Sequence, residues 1–251
     1  MKYWRVLTSF AAASAVYGSV AAQAQIVKVG DGLANGMRLQ PYENAWLYTA
    51  RFADGHVKTQ GIWSDHVERT TIDGREALKR VQGMTYVNAL TSSGVTVMDA
   101  KTCAPISSEQ HRPDGLVIKR KFRGAHVATE RIEKPGAMPQ QNSVDLPVPV
   151  FDFYGGAYGF LLSCFPLKVG YTASFPAIGE IEDVAETVRF KVLRRERIRA
   201  GRRGLVDTYV VTAERQGEYT QTFWLSRLAP YVIRLEIRYP DKPYFASFEM
   251  I

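Results

Sequence analysis

The sequence predicts a mainly β protein, an antiparallel sheet of about ten strands with one or two helices, on three observations. Turn dipeptides recur between short segments rich in β-branched and aromatic residues, a pattern typical of β-hairpins. The last 80 residues alternate apolar and polar side chains, as half-buried strands do. At 251 residues and 46% hydrophobic content, the chain is long enough for one large β domain.

The first 24 residues are predicted to be a signal peptide. Two cations near the N-terminus precede an apolar stretch at residues 6–22, and residues 22–24 supply the small-x-small pattern for cleavage before Gln25. An anchor helix that stays uncleaved is the alternative. Cleavage would remove both cations and lower the net charge from +7 to +5. We therefore expect a soluble periplasmic protein, with residues 25–251 forming a single β domain.

The first half of this domain is predicted to be strands joined by tight turns. Asp-Gly, Ser-Gly and Arg-Gly dipeptides mark the turns at residues 54–55, 73–74, 93–94, 114–115 and 123–124. The predicted strands cover residues 46–52, 85–90, 95–99, 116–122 and 126–132.

Residues 73–83 instead predict a short helix. Asp73 is a suitable N-cap, and Ala77, Leu78 and Val81 share one helical face. Gly83 is a typical stop signal at the C-terminus.

Residues 134–150 are predicted to be a connecting loop without regular structure. The stretch contains four prolines, and its polar composition is typical of a loop. We expect it to join two halves of one sheet. A linker between two domains is the alternative, but neither flank has enough helix to close a core alone.

Residues 150–166 predict an apolar helix in this otherwise stranded chain. Phe153, Ala157 and Phe160 fall at helical spacing, Asp152 can cap the start, and Pro166 ends it. Three glycines oppose this interpretation, since each costs up to about 1 kcal/mol relative to alanine in a helix. We therefore expect tertiary burial against the concave face of the sheet to hold the helix in place.

Strands return in the last 80 residues. Residues 231–239 alternate most clearly, with Ile233, Leu235 and Ile237 on one face. The other predicted strands cover residues 187–199, 206–213, 219–225 and 244–251.

Cys103 and Cys164 are the two cysteines of the chain. An even number in an oxidising compartment predicts one disulfide between them, with two buried free thiols as the alternative. A bridge across 61 positions would remove about 4 kcal/mol of chain entropy from the unfolded state.

Short motifs resemble a family of bacterial envelope domains of unknown function that share a general architecture with the lipoprotein carriers LolA and LolB. They are Asp-x-x-Thr-x-x-Pro at residues 99–105, Phe-Pro-Leu-Lys-Val-Gly-Tyr at 165–171, and Phe-Trp-Leu-Ser at 223–226 running into Pro-Tyr-Val-Ile-Arg-Leu-Glu at 230–236. The resemblance implies a strongly curved antiparallel sheet, an incomplete barrel, with helical segments over its concave mouth. It implies no catalytic residues.

One set of apolar and aromatic residues allows two interpretations. It is either ordinary core or the lining of an open cavity for an acyl chain or other apolar ligand, because such cavities are apolar with a few polar groups. The incomplete barrel favours the second interpretation. The candidate ligand-binding residues are Phe151, Phe153, Tyr158, Phe160, Leu161, Trp224 and Tyr231.

Residues 191–203 hold seven cations opposed only by Glu196. Such a stretch suits nucleic acid in the cytosol, but the leader makes an anionic membrane surface or an acidic envelope protein the expected partner. The alternative is a solvated hairpin whose charges keep a sheet edge from pairing with another chain. The candidate contact residues are Arg194, Arg195, Arg197, Arg199, Arg202 and Arg203.

Sequence motifs for catalysis and cofactors are absent. The chain contains no P-loop, HExxH, GxSxG or EF-hand pattern, and the four histidines are scattered. We therefore expect no cofactor, no metal and no enzyme activity. The leading hypothesis is a periplasmic binding or carrier protein for a lipid-like ligand. An envelope assembly factor acting through protein contacts is the first alternative, and a hydrolase the second.

Overall fold

The computed structural model describes residues 24–215 and 219–251, so the predicted signal peptide lies, apart from Ala24, outside the described residues. Within them, every named strand belongs to a single sheet of fifteen strands, which confirms a mainly β fold but corrects the expected count of about ten. The strands are β1 (Gln25–Ile26), β2 (Tyr42–Phe52), β3 (Val57–Ile72), β4 (Arg75–Tyr86), β5 (Thr91–Asp99), β6 (Pro105–His111), β7 (Val117–Arg123), β8 (His126–Ile132), β9 (Gln140–Asp145), β10 (Thr172–Ile178), β11 (Ala185–Arg199), β12 (Leu205–Arg215), β13 (Tyr219–Leu225), β14 (Val232–Arg238) and β15 (Tyr244–Met250).

The strand order is β1-β10-β11-β12-β13-β14-β15-β2-β3-β4-β5-β6-β7-β8-β9. Neighbours pair antiparallel throughout, except that β1 runs parallel to β10. The last strand, β15, pairs with β2 from Tyr244–Phe52 to Met250–Trp46. The two halves of the sheet therefore meet at β15–β2, while residues 146–171 carry the chain from one end of the sheet to the other.

The sheet curves strongly around its interior. A π-helical turn, Phe153–Ala157, contacts both β5 and β10, which are nine strand spacings apart in the sheet order. In a flat sheet that separation would be about 43 Å at about 4.8 Å per strand. Five residues span at most about 17 Å, so the sheet must wrap around this turn.

The two ends of the sheet approach each other without pairing into a closed barrel. Arg120 on β7 reaches Asp183 in the β10–β11 loop, with 2.9 Å between Nε and Oδ1. The chain at residues 146–151 fills the remaining gap, because Phe151 pairs with β10 through its own N–H to Pro176 O and its carbonyl to Ile178 N, both at 2.9 Å. A small core seals this seam, formed by Phe122, Val127, Leu146, Val150 and Ile178.

The predicted helix at residues 73–83 is wrong. Asp73 and Gly74 form a hairpin turn with φ of +49° and +77°, and β4 follows at once. β4 pairs with β3 along its whole length, from Ile72–Arg75 to Gly61–Tyr86. Leu78, Arg80 and Gln82 are buried at alternate positions, and two of these three are polar. Because two of the buried positions are polar, the sequence of β4 does not show the alternation of apolar and polar residues that is typical of a strand.

Other local predictions also need correction. Residues 140–145 are β9, an exposed strand, and not loop. Residues 87–89 form a turn where a strand was predicted, and the predicted Ser-Gly turn at residues 93–94 lies inside β5. Within the described part of the chain, no helix is long and apolar enough to cross a membrane.

Candidate functional site

Residues 151–165, the central segment, run through the interior of the curved sheet. The π-helical turn Phe153–Ala157 is followed by one short helix, α1 (Tyr158–Leu162). The predicted apolar helix is therefore real but shorter than expected. It is interrupted at Gly156, where φ is +131°, and Asp152 makes no side-chain cap.

Close packing explains the three glycines of this segment. A Cβ on Gly155 would lie 1.9 Å from the Asp152 carboxylate, and one on Gly156 would lie 2.8 Å from Thr96 Oγ1. A Cβ on Gly159 would lie 2.6 Å from the Phe223 ring. Gly156 and Gly159 thus allow the backbone to approach the sheet on both sides, and Gly155 leaves room for the Asp152 carboxylate, which offsets their low helix propensity.

One side of the central segment is held by buried polar side chains. Arg80 donates two hydrogen bonds to the Asp65 carboxylate, both at 2.8 Å, and two more to the carbonyls of Gly156 and Ala157 at 2.6 and 2.8 Å. Tyr42 donates to Asp65 at 2.7 Å, and burial raises the pKa of Tyr42 well above its usual value, which keeps it a donor. This network satisfies carbonyls that the broken helix leaves free.

The other side of the central segment packs into an aromatic core. Phe153 contacts Phe175 and Phe223, with ring centroids 5.7 and 6.4 Å apart. Phe165 stacks on Phe175 at 5.4 Å. These rings are fully buried, so this side of the segment is part of the aromatic core.

A cavity of about 300 Å³, the first cavity, opens above the start of the segment. Tyr154, Gly155, Gly156 and Tyr158 form its floor. Its walls come from both halves of the sheet. The apolar wall residues are Trp63, Met84, Tyr86, Leu235, Ile237 and Phe248, and the polar ones include Gln82, Gln110, Arg112 and Glu180.

Several tyrosines around the first cavity have raised pKa values. Burial raises the pKa of Tyr158 and Tyr219 far above the usual value, and Glu180 adds to the shift. Burial likewise raises the pKa of Tyr48 to about 12. These tyrosines are neutral at every physiological pH. Arg112 and Glu180 are charged residues in the cavity lining, with 3.7 Å between Nη1 and Oε1.

The structure separates the predicted ligand-binding residues. Tyr158 lines the first cavity, and Tyr231 lines a second cavity at the other end of the central segment. Trp224 lies outside the main core, with the Arg234 guanidinium 4.7 Å from its ring centre. The remaining four are packed core residues, namely Phe151, Phe153, Phe160 and Leu161.

Sequence reasoning missed the residues that form most of the first cavity. Its walls use residues of β3, β4, β5 and β6 together with β14 and β15, and these two groups of strands lie far apart in the sequence. The alternation of residues 231–239 identified Leu235 and Ile237 as one face, and that face does reach the cavity.

The second cavity, about 450 Å³, lies where the central segment ends. Its lining is Arg38, Leu39, Ser163, Pro166, Leu167, Lys168, Ser226, Arg227 and Tyr231. The predicted basic stretch lies nearby, because Arg227 and Arg195 both stack on Tyr209, with guanidinium carbons 5.0 and 5.7 Å from its ring centre. Its six arginines are all exposed, on β11 and on a 3₁₀ turn, Gly201–Arg203.

Cys103 and Cys164 come together but are free thiols in this structure. Both are buried, and Cys103 lies within hydrogen-bonding reach of Cys164. Burial raises the pKa of the Cys103 thiol well above its usual value, so the thiolate is disfavoured. The predicted pairing partners are therefore neighbours, and the disulfide itself stays a prediction.

The described residues contain no group of three or more His, Cys, Asp or Glu side chains that could hold a metal ion. His111 is part of the lining of the first cavity, and its Nε2 lies 2.6 Å from Glu109 Oε1.

Comparison with known proteins identifies a family whose function is unknown. No curated protein matches the chain. A crystal structure of a β-barrel-like protein of the domain of unknown function DUF1849 from Brucella abortus is similar at a TM-score of 0.43 and 13% identity, over 85% of this chain and 97% of that one. The model of the DUF3108 family, proteins of unknown function, matches residues 45–244. Because that match spans 200 of the 251 residues, the chain belongs to the DUF3108 family.

Proposed function

We propose that this protein is a non-catalytic periplasmic binding or carrier protein for a small lipid-like or other apolar ligand held in the first cavity. The observation that carries the proposal is an open cavity with aromatic and aliphatic walls on the concave side of the sheet. Ligand sites are concave, mainly apolar and usually preformed, with a few polar groups that orient the ligand.

The size and chemistry of the cavity narrow the class of ligand. A volume of about 300 Å³ is at the small end of the range for ligand sites. It suits a short acyl chain, an isoprenoid unit or the end of a longer chain. The polar rim, with Arg112, Gln110 and Glu180, provides both donors and acceptors for a head group.

Gly94 offers a direct way to test the cavity. It pairs with Gln82 and Gln110, so its missing side chain would point to the same concave face, and a Cβ there would meet nothing closer than 3.6 Å. Gly94→Phe therefore projects a ring into the first cavity. Ser143 on β9 is exposed and lines neither of the two cavities, so Ser143→Phe is the matched control.

The experiment measures uptake of N-phenyl-1-naphthylamine, a small apolar fluorophore, together with mass spectrometry of the solvent extract from natively purified protein. We expect wild type and Ser143→Phe to take up the probe, and Gly94→Phe to lose at least ten-fold in affinity with an unchanged melting temperature. Equal uptake by a folded Gly94→Phe variant would refute the proposed site. Clean extracts and no uptake by wild type would leave the envelope assembly factor as the better hypothesis.

A further inference from the structure

Among the residues that the structure describes, three cations and no acidic side chain line the second cavity. Arg38, Lys168 and Arg227 come from three separate parts of the chain, before β2, after α1 and after β13. The hydroxyl-bearing residues Ser226 and Tyr231 complete its polar lining together with Ser163. Three positive charges around one concavity produce a field that attracts anions.

The two guanidinium groups are held in place and keep free donors. Arg38 Nη2 donates to the carbonyls of Ser163 and Phe165 at 2.8 and 2.7 Å, and Arg227 Nη2 donates to Leu167 O at 3.0 Å. Within the described part of the chain, Nε and Nη1 of both arginines have no hydrogen-bond partner. Tyr231 Oη accepts from Gln40 N at 2.6 Å, which leaves its own hydrogen available. Such donors match the oxygens of a phosphate group.

Exposed aliphatic side chains stand beside these cations. Met37, Val169 and Leu228 are 43, 48 and 78% exposed, and each follows or precedes one cavity cation in the sequence. Arg203 donates to Ala229 O at 2.5 Å, which ties the tip of the basic hairpin to the loop that carries Leu228. The end of the curved sheet that holds the second cavity thus combines exposed apolar side chains, three cavity cations and the predicted basic stretch.

We propose that this end of the barrel docks on a bilayer rich in anionic phospholipid, with a lipid phosphate in the second cavity and Met37, Val169 and Leu228 in the interface. A free phosphate ion would use the cations alone, whereas a membrane surface also accommodates the aliphatic side chains. The surface is separate from the first cavity, and the inference does not depend on the ligand proposed there.

Vesicle binding tests this inference with the protein as isolated, its N-terminus determined by intact mass. Vesicles of phosphatidylcholine with 30% phosphatidylglycerol are compared with phosphatidylcholine alone by flotation. The site variant is Arg38→Gln/Lys168→Gln/Arg227→Gln. The matched control is Lys58→Gln/Lys134→Gln/Lys242→Gln, which removes the same charge from exposed positions away from the second cavity.

A cation close to an anionic leaflet contributes about five-fold in partitioning, so the site variant should lose about two orders of magnitude at low salt. The control variant should lose less than ten-fold. Because the arginines also hold backbone carbonyls, Leu228→Ser provides a second test that leaves those bonds intact, with Val87→Ser, 63% exposed, as its control. We expect Leu228→Ser to weaken binding to the vesicles and Val87→Ser to leave it unchanged.

Equal losses in the site and control variants would overturn the inference, as would unchanged binding in a folded Leu228→Ser variant. Calorimetry with inorganic phosphate separates the two sources of the anion. Phosphate binding that needs Arg38, with no binding to either vesicle, would make the cavity a soluble-anion site and refute membrane docking.

Discussion

Arg80 should be the main anchor of the central segment, and its replacement by methionine tests that role. The side chain is 1% exposed, and its bonds go to Asp65 and to the carbonyls of Gly156 and Ala157. Arg80→Met keeps most of the volume but leaves the buried Asp65 carboxylate without its cation, although Tyr42 still donates to it, and removes one donor from each of the two carbonyls. Breaking a buried pair in this way costs about 3–5 kcal/mol, a large part of a total stability of about 5–15 kcal/mol.

The assay is urea unfolding, followed by circular dichroism and by tryptophan fluorescence. For a domain of this size, the expected loss corresponds to a melting temperature lower by roughly 6–20 °C. Arg51→Met is the control, because Arg51 and Glu249 form a half-exposed pair at 2.6 Å that should contribute at most about 1 kcal/mol.

The double variant Arg80→Met/Asp65→Leu tests the reasoning further. Removing both charges avoids the unpaired carboxylate, so the double variant should lose about 1–3 kcal/mol less than the sum of the single variants. A loss below 1 kcal/mol in Arg80→Met, or strict additivity in the double variant, would refute the anchoring role.

Three further predictions concern the interior. Gly156→Ala should cost about 2 kcal/mol or more in urea unfolding, because its Cβ meets Thr96, whereas Gly124→Ala, with open space around it, should cost about 1 kcal/mol; equal losses would contradict the packing argument. Burial raises the pKa of Asp152, so wild-type stability should fall as pH rises from about 4 through the raised pKa, and Asp152→Asn should remove that slope; parallel pH profiles would disprove it. We expect Cys103 and Cys164 to be oxidised in protein isolated without reductant, so that intact mass is 2 Da lower and added reductant lowers the melting temperature; two thiols alkylated after unfolding would exclude the bridge.

The sequence by itself determined the class of fold and most strand positions in the second half. In residues 231–239, Leu235 and Ile237 face the first cavity and alternate with the charged residues Arg234, Glu236 and Arg238, and this simple pattern can be identified without a structure. The apolar character of residues 150–166 likewise indicated an internal segment, since so many apolar side chains need a buried environment.

Only the tertiary structure decided which buried residues are polar and where the cavities lie. Arg80, Gln82 and Thr96 are buried because they bond to carbonyls that the broken helix leaves without partners. Those carbonyls reach β4 and β5 only after residues 153–162 have folded into the sheet. The pattern of β4 was therefore mistaken for a helix. The cavities depend on strands that lie far apart in the chain and meet through curvature, for which local periodicity contains no signal.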